Sequence, residues 1–257
     1  MIGRTRRRGL LGAVVLGLVA VAIGLWSGWA ERHPQQERQL RGQVQEQLQT
    51  RLPRAMQPPG NGYGIFRRNT GVDPERRPGV LLVHGLDEPG GIWADLVPAL
   101  GAAGFDTWEF LYPNDQGVDI SADLLAASWS DLPADQCLVL VGHSMGGLVI
   151  RDFVSRWRHP VAVPPRVAGA SVQGVILAGT PNQGSDWARL RVWLELRDQW
   201  AAGRQSGFSP LGGLRDGTGA AKIDLVPGSG FLEQLNARPW PVTVPIRIIG
   251  GVLLEST

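Results

Sequence analysis

A mostly parallel α/β sheet covered by helices on both faces is the fold class this sequence predicts, and three observations predict it. Apolar runs of strand length recur at Val80–His84, Phe105–Phe110, Leu138–Gly142, Val172–Ala178 and Val244–Gly250. Helix-like stretches over Ile92–Leu100, Ser121–Ser130, Ser144–Trp157 and around Phe231–Leu235 lie between them, the spacing that βαβ units need. The strand runs, such as Val80-Leu81-Leu82-Val83 and Leu138-Val139-Leu140-Val141, do not alternate with polar residues. Strands of that kind are buried on both faces. The 257 residues, 43% of them hydrophobic, suffice for one sizeable domain with an appended segment.

The appended segment comes first. Arg4, Arg6, Arg7 and Arg8 precede a stretch from Gly9 to Trp29 that carries no charge. As a helix that stretch would cross the ~30 Å hydrocarbon core, so residues 1–30 are expected to be a transmembrane anchor or a signal. Its length favours an uncleaved anchor, while Gly28 and Ala30 offer a small-residue cleavage site. Arg7-Arg8-Gly9-Leu10-Leu11 loosely resembles a twin-arginine export signal, and positive-inside orientation explains the same arginines without it. Either way the domain is expected outside the cytoplasm, membrane-anchored, or secreted if the segment is cleaved.

Residues 31–60 read as a polar helical stalk. Leu40, Val44, Leu48 and Leu52 form one narrow apolar stripe in a Gln-, Glu- and Arg-rich stretch, consistent with a solvated spacer. Pro53, Pro58, Pro59 and Gly60 end it, which places the main domain at 61–257. The net charge of +2, carried by arginines spread along the chain with Lys222 the lone lysine, argues against nucleic-acid binding. Cys137 is the single cysteine, which excludes an intramolecular disulfide.

The chemistry-bearing motif sits at the end of the third long strand. Leu138–Val141 runs into Gly142-His143-Ser144-Met145-Gly146-Gly147 and then into the apolar stretch 148–154. This is Gly-x-Ser-x-Gly between a buried strand and a helix, the context in which the serine stands on a sharp turn as a nucleophile. The helix N-terminus beneath it would stabilise negative charge developing on an acyl carbonyl.

With Leu81-Leu82-Val83-His84-Gly85-Leu86 and Gly179-Thr180-Pro181-Asn182-Gln183-Gly184-Ser185, the Ser144 motif resembles the lipase and esterase branch of the α/β-hydrolase superfamily, from about Val80 onward. The resemblance implies an α/β-hydrolase fold, Ser144 as nucleophile, and an oxyanion hole made by the backbone amides of Leu86 and Met145. His84 is expected to shape the loop. In such lipases the segment after the Thr-Pro turn forms a lid, which would fall here at 185–220. That segment contains Trp187, Trp193 and Trp200, and reads equally well as an ordinary half-buried surface helix.

The resemblance further implies an acid and then a histidine after the nucleophile. The four histidines are His33, His84, His143 and His159, and none occupies the expected place for the base. Glu255 is the single carboxylate after Val244, and Asp115 and Asp119 read as solvated loop carboxylates. The expected explanation is a C-terminally incomplete enzyme, with a natural pseudo-hydrolase as the other account. Function is therefore expected to be hydrolysis of a lipid or other apolar acyl ester through an acyl-enzyme on Ser144, with no metal and no cofactor. The alternatives are acyl transfer with the same nucleophile and a non-catalytic binding or scaffold protein.

Overall fold

The computed structural model describes residues 14, 17–18, 21–54, 56, 62–71, 77–86, 91–190 and 217–251. They part into two compact units between Leu40 and Arg41. In the first, residues 21–32 are helical, and Leu25 and Trp26 are exposed. The Trp29 carbonyl is bonded to the His33 ring at 3.0 Å, and the two rings stack with centroids 5.5 Å apart. Among the described residues no helix is long and apolar enough to cross a membrane, and part of the uncharged stretch 9–29 lies outside them.

The second unit holds a six-stranded sheet of order β1-β3-β2-β4-β5-β6. β2 (Gly79–Val83), β3 (Thr107–Leu111), β4 (Cys137–His143), β5 (Ser171–Ala178) and β6 (Ile246–Ile249) are parallel, as the apolar runs predict. β1 (Gly64–Asn69) was not legible as a strand; it pairs antiparallel with β3 at the sheet's edge. Two consecutive arginines lie within it, and both find carboxylates on β3 or the residue just before it. Arg67 meets Asp106 at 2.7 Å and Arg68 meets Glu109 at 2.6 Å. Burial is the main influence on Glu109 and raises its pKa, with the attraction and hydrogen bond of Arg68 pulling the other way.

Helices cover the two faces unequally. Val80, Leu82 and Trp93 form a small core on one side with Val97, Leu100 and Phe105. Leu81, Val83, Phe110, Leu138, Leu140 and Leu177 belong to the large core on the other, which includes residues of the helices Val118–Ala127, Met145–Phe153 and Gly230–Ala237. A further short helix, Ala220–Asp224, escaped the sequence reading. Asp224 accepts the Val118 N–H at 2.9 Å, and so caps the start of Val118–Ala127.

The helix Pro34–Arg51 covers much of the stretch read as a stalk, and its later turns belong to the unit that contains the sheet. In those turns the buried residue is Gln45, whereas Val44 and Leu52 of the apolar stripe are exposed. Arg41 donates to the Thr218 carbonyl, and the Thr218 hydroxyl donates back to the Arg41 carbonyl at 2.8 Å. The reciprocal Arg41–Thr218 hydrogen bonds therefore tie these turns to the domain, with Leu48 of the stripe half-buried.

Candidate active site

β4 delivers Ser144 at its C-terminal end. The residue has φ 50° and ψ −125°, a left-handed backbone that side chains other than glycine rarely adopt. Two hydrogen bonds pin it: the Ser144 N–H donates to the Ala178 carbonyl at 2.8 Å, and the Gly147 N–H donates to the Ser144 carbonyl at 3.1 Å. Ser144 is the N-cap of the helix Met145–Phe153, yet its side chain makes no capping hydrogen bond. The hydroxyl is thus not consumed by the helix it starts.

The glycines explain how so sharp a turn closes. A Cβ on Gly142 would lie 2.6 Å from Gly147 Cα and from its nitrogen. One on Gly146 would run into the carbonyl oxygens of Val83 and His84, and one on Gly147 into the Thr180 side chain. The first turn of the helix therefore touches β4, the end of β2 and the loop after β5 through bare backbone. This gives the Thr-Pro turn a structural part, which its sequence alone did not reveal. The loop is tied again one helical turn later, where Arg151 donates to the side-chain oxygens of Asn182 and Asn236, each at 2.9 Å, and Asn236 donates to the Asn182 carbonyl at 3.0 Å.

The two amides read as oxyanion donors come from different elements. Met145 is fully buried and is the first residue of its helix, where the backbone N–H has no intrahelical acceptor. Leu86 lies three residues past β2, half-buried against the large core. Between β2 and Leu86, the His84 ring is buried and its Nδ1 lies 3.0 Å from the Gly85 carbonyl oxygen. Tyr112 stacks on that ring at 4.4 Å and donates its hydroxyl to the His84 carbonyl at 2.6 Å. Tyr112 was not legible as part of the site. Its signal was a tyrosine, rather than a phenylalanine, just past a buried strand, where the hydroxyl needs a partner.

The other histidines have their own surroundings. The His143 and Trp93 rings meet edge to face with centroids 6.5 Å apart, and His159 stands at the end of a π-helical turn, Val154–Arg158, that continues the helix Met145–Phe153. Burial, and secondarily the neighbouring Arg158 charge, push the His159 pKa below its usual value. Asp115 pairs with Lys222 at 3.6 Å, and Asp119 accepts the Ile120 N–H at 2.8 Å. Glu255 and residues 191–216 of the expected lid lie outside the described residues; 186–190 form a 3₁₀ turn on which Trp187 is exposed.

At its far end the helix Met145–Phe153 is held by charge. Asp152 is fully buried and accepts from Arg156 at 2.5 and 2.9 Å and from Arg238. Arg156 also reaches Asp123 at 2.5 Å. Burial alone would lower the Arg156 pKa, but the two carboxylates together raise it. Among the described residues no group of three or more His, Cys, Asp or Glu side chains is placed to hold a metal ion.

A strand–serine–helix elbow at the C-terminal edge of a parallel sheet, faced by a loop from the neighbouring strand, defines the α/β-hydrolase class. The sequence model of the alpha/beta hydrolase family matches residues 80–251, and the chain belongs to that family. Among solved structures, the mature form of a Bacillus licheniformis lipase is similar over 74% of this chain and 72% of its own, with 20% identity and a TM-score of 0.52. A carboxyl esterase of metagenomic origin is similar over 71% of this chain and 51% of its own, with 19% identity and a TM-score of 0.52. At such identities the likeness is one of fold. No curated protein sequence matches the chain.

Proposed function

We propose that this protein is a serine hydrolase that cleaves carboxylic esters, with Ser144 as the nucleophile. The observation that carries the reading is the left-handed Ser144 backbone, held between strand and helix with the hydroxyl left out of the cap. Backbone strain of this sort costs about 1–3 kcal/mol and persists where the surrounding structure over-determines it, typically at functional sites.

In the proposed reaction the Ser144 oxygen attacks the acyl carbonyl carbon while its proton passes to a general base. The Leu86 and Met145 amides hold the resulting oxyanion, and one such donor is typically worth ~2.7–4 kcal/mol. Collapse of the tetrahedral species breaks the ester bond, and the leaving alcohol takes up a proton. Water then releases the acid from Ser144 by the same steps. An apolar acyl or lipid ester is the proposed substrate class. The lipase and the carboxyl esterase of similar fold support it, as does Trp187, exposed at the start of the proposed lid. The arginine cluster and the uncharged stretch 9–29 are proposed to hold the domain at a membrane, on its non-cytoplasmic side.

A non-catalytic binding protein is the second reading, favoured by the engagement of His84 with the Gly85 carbonyl and of His33 with the Trp29 carbonyl. Labelling with a fluorophosphonate, followed by peptide mass spectrometry, separates the two. The enzyme reading expects adduct on Ser144 within minutes, none in Ser144→Ala, and turnover of p-nitrophenyl acyl esters that disappears with the same substitution. A wild-type chain that neither labels nor turns over ester would leave the binding protein.

A further inference from the structure

We infer that Tyr112 is a positioning residue that aims the Leu86 amide into the oxyanion site. The inference rests on the reading of Ser144, Leu86 and Met145 given above, and two successive peptide planes carry it. A carbonyl can only accept, so the 3.0 Å contact between His84 Nδ1 and the Gly85 oxygen requires the proton on Nδ1. The Gly85 carbonyl and the Leu86 N–H belong to one planar trans peptide and point in opposite directions. The imidazole that grips the first therefore sets the direction of the second.

What holds the imidazole is Tyr112. Its ring lies on the His84 ring with centroids 4.4 Å apart and 17° between planes, and is backed in turn by Phe110 at 5.0 Å. Its hydroxyl donates to the His84 carbonyl at 2.6 Å, fixing the peptide that joins His84 to Gly85. Gly146 closes on the Val83 and His84 carbonyl oxygens from the nucleophile helix, so the loop is held from the Ser144 side as well. All three aromatic rings are nearly or fully buried, which keeps water from competing for the His84 carbonyl. The Leu86 donor is thereby oriented before substrate arrives, and an oxyanion donor contributes most when it needs no reorganisation.

Tyr112→Phe in the full chain removes the hydroxyl and keeps the stack. The ¹H–¹⁵N resonance of the Leu86 amide should move, because the hydrogen bond that fixes the preceding peptide is lost. The Met145 resonance should stay as it was, and Tyr63→Phe, which alters the other tyrosine, should leave Leu86 unchanged. The rate of fluorophosphonate labelling at saturation should fall by about tenfold, the scale of one lost hydrogen bond, with the half-saturating concentration unaltered. An unmoved Leu86 resonance, or equal movement at Leu86 and Met145, would overturn the positioning role. If wild-type Ser144 does not label at all, the hydrolase reading falls, while the Leu86 resonance still decides whether Tyr112 sets the loop.

Discussion

β2 and β6 are both short apolar strands in one parallel sheet, yet they live in opposite surroundings. Every residue of β2 is buried, with Leu82 at 0% exposure, whereas Ile248 and Ile249 in β6 are 64% and 59% exposed. β2 lies between β3 and β4, with the Trp93 cluster on one face and the large core on the other. Among the described residues β6 pairs with β5 alone and neither of its faces is closed. An apolar run thus specifies that a segment can be a strand. Whether the strand is covered depends on what its neighbours in space supply.

The contrast is sharpest where β2 ends, because its last carbonyls are also the floor of the elbow. Gly146→Ala should have the largest effect: the added methyl meets the Val83 and His84 oxygens, which are backbone and cannot swing aside. A loss of about 3 kcal/mol or more is expected. Urea denaturation would report it, and fluorophosphonate labelling should be lost with it. A loss below about 1 kcal/mol would show that the helix can back away from β2 cheaply.

Leu82→Ala comes next, at about 2–5 kcal/mol for a fully buried leucine, while Ile248→Ala in β6 should cost less than about 1 kcal/mol. Equal costs measured in the same chain would mean that β6 is covered in solution and that the contrast is not a property of the folded protein.

The smallest effect is electrostatic and falls on His159. Its folded pKa lies below the usual 6.5 because burial disfavours the charged ring. A base of this kind binds its proton less readily when folded, so its contribution to stability is complete above about 6.5 and is lost as the pH falls through the depressed folded value. The difference in melting temperature between wild type and His159→Gln should be constant above about pH 7 and shift against the wild type as the pH falls below about 6.5. A difference that stays constant through that range would assign the acid sensitivity elsewhere.

Much of the fold was legible because its strands are buried on both faces and say so in sequence: Val80–Val83 and Leu138–Val141 leave no polar position to explain. β1 was not legible, since Arg67 and Arg68 are compatible with a strand only once Asp106 and Glu109 face them across the pairing with β3. The short helix Ala220–Asp224 was missed for a related reason. Its Lys222 and Asp224 are charged residues that are buried because Asp115 and the Val118 N–H, both about a hundred residues earlier, are their partners. At the candidate site, the sharp turn at Ser144 was readable from glycine spacing between a strand and a helix, whereas Leu86 and Met145 were expected only from the resemblance to lipases and esterases. Tyr112 was not, because nothing in the chain between residues 84 and 112 announces that the two side chains will stack.

The sequence by itself determined the alternation of strand and helix, the serine turn and the glycines that let it close, because hydrophobic period and the lack of a Cβ are local properties. Tertiary structure decided which apolar strand is covered, which charges are paired, and which ring holds the loop after β2. Those depend on contacts between residues far apart in the chain, and a contact of that kind has no energy until the fold brings both partners together.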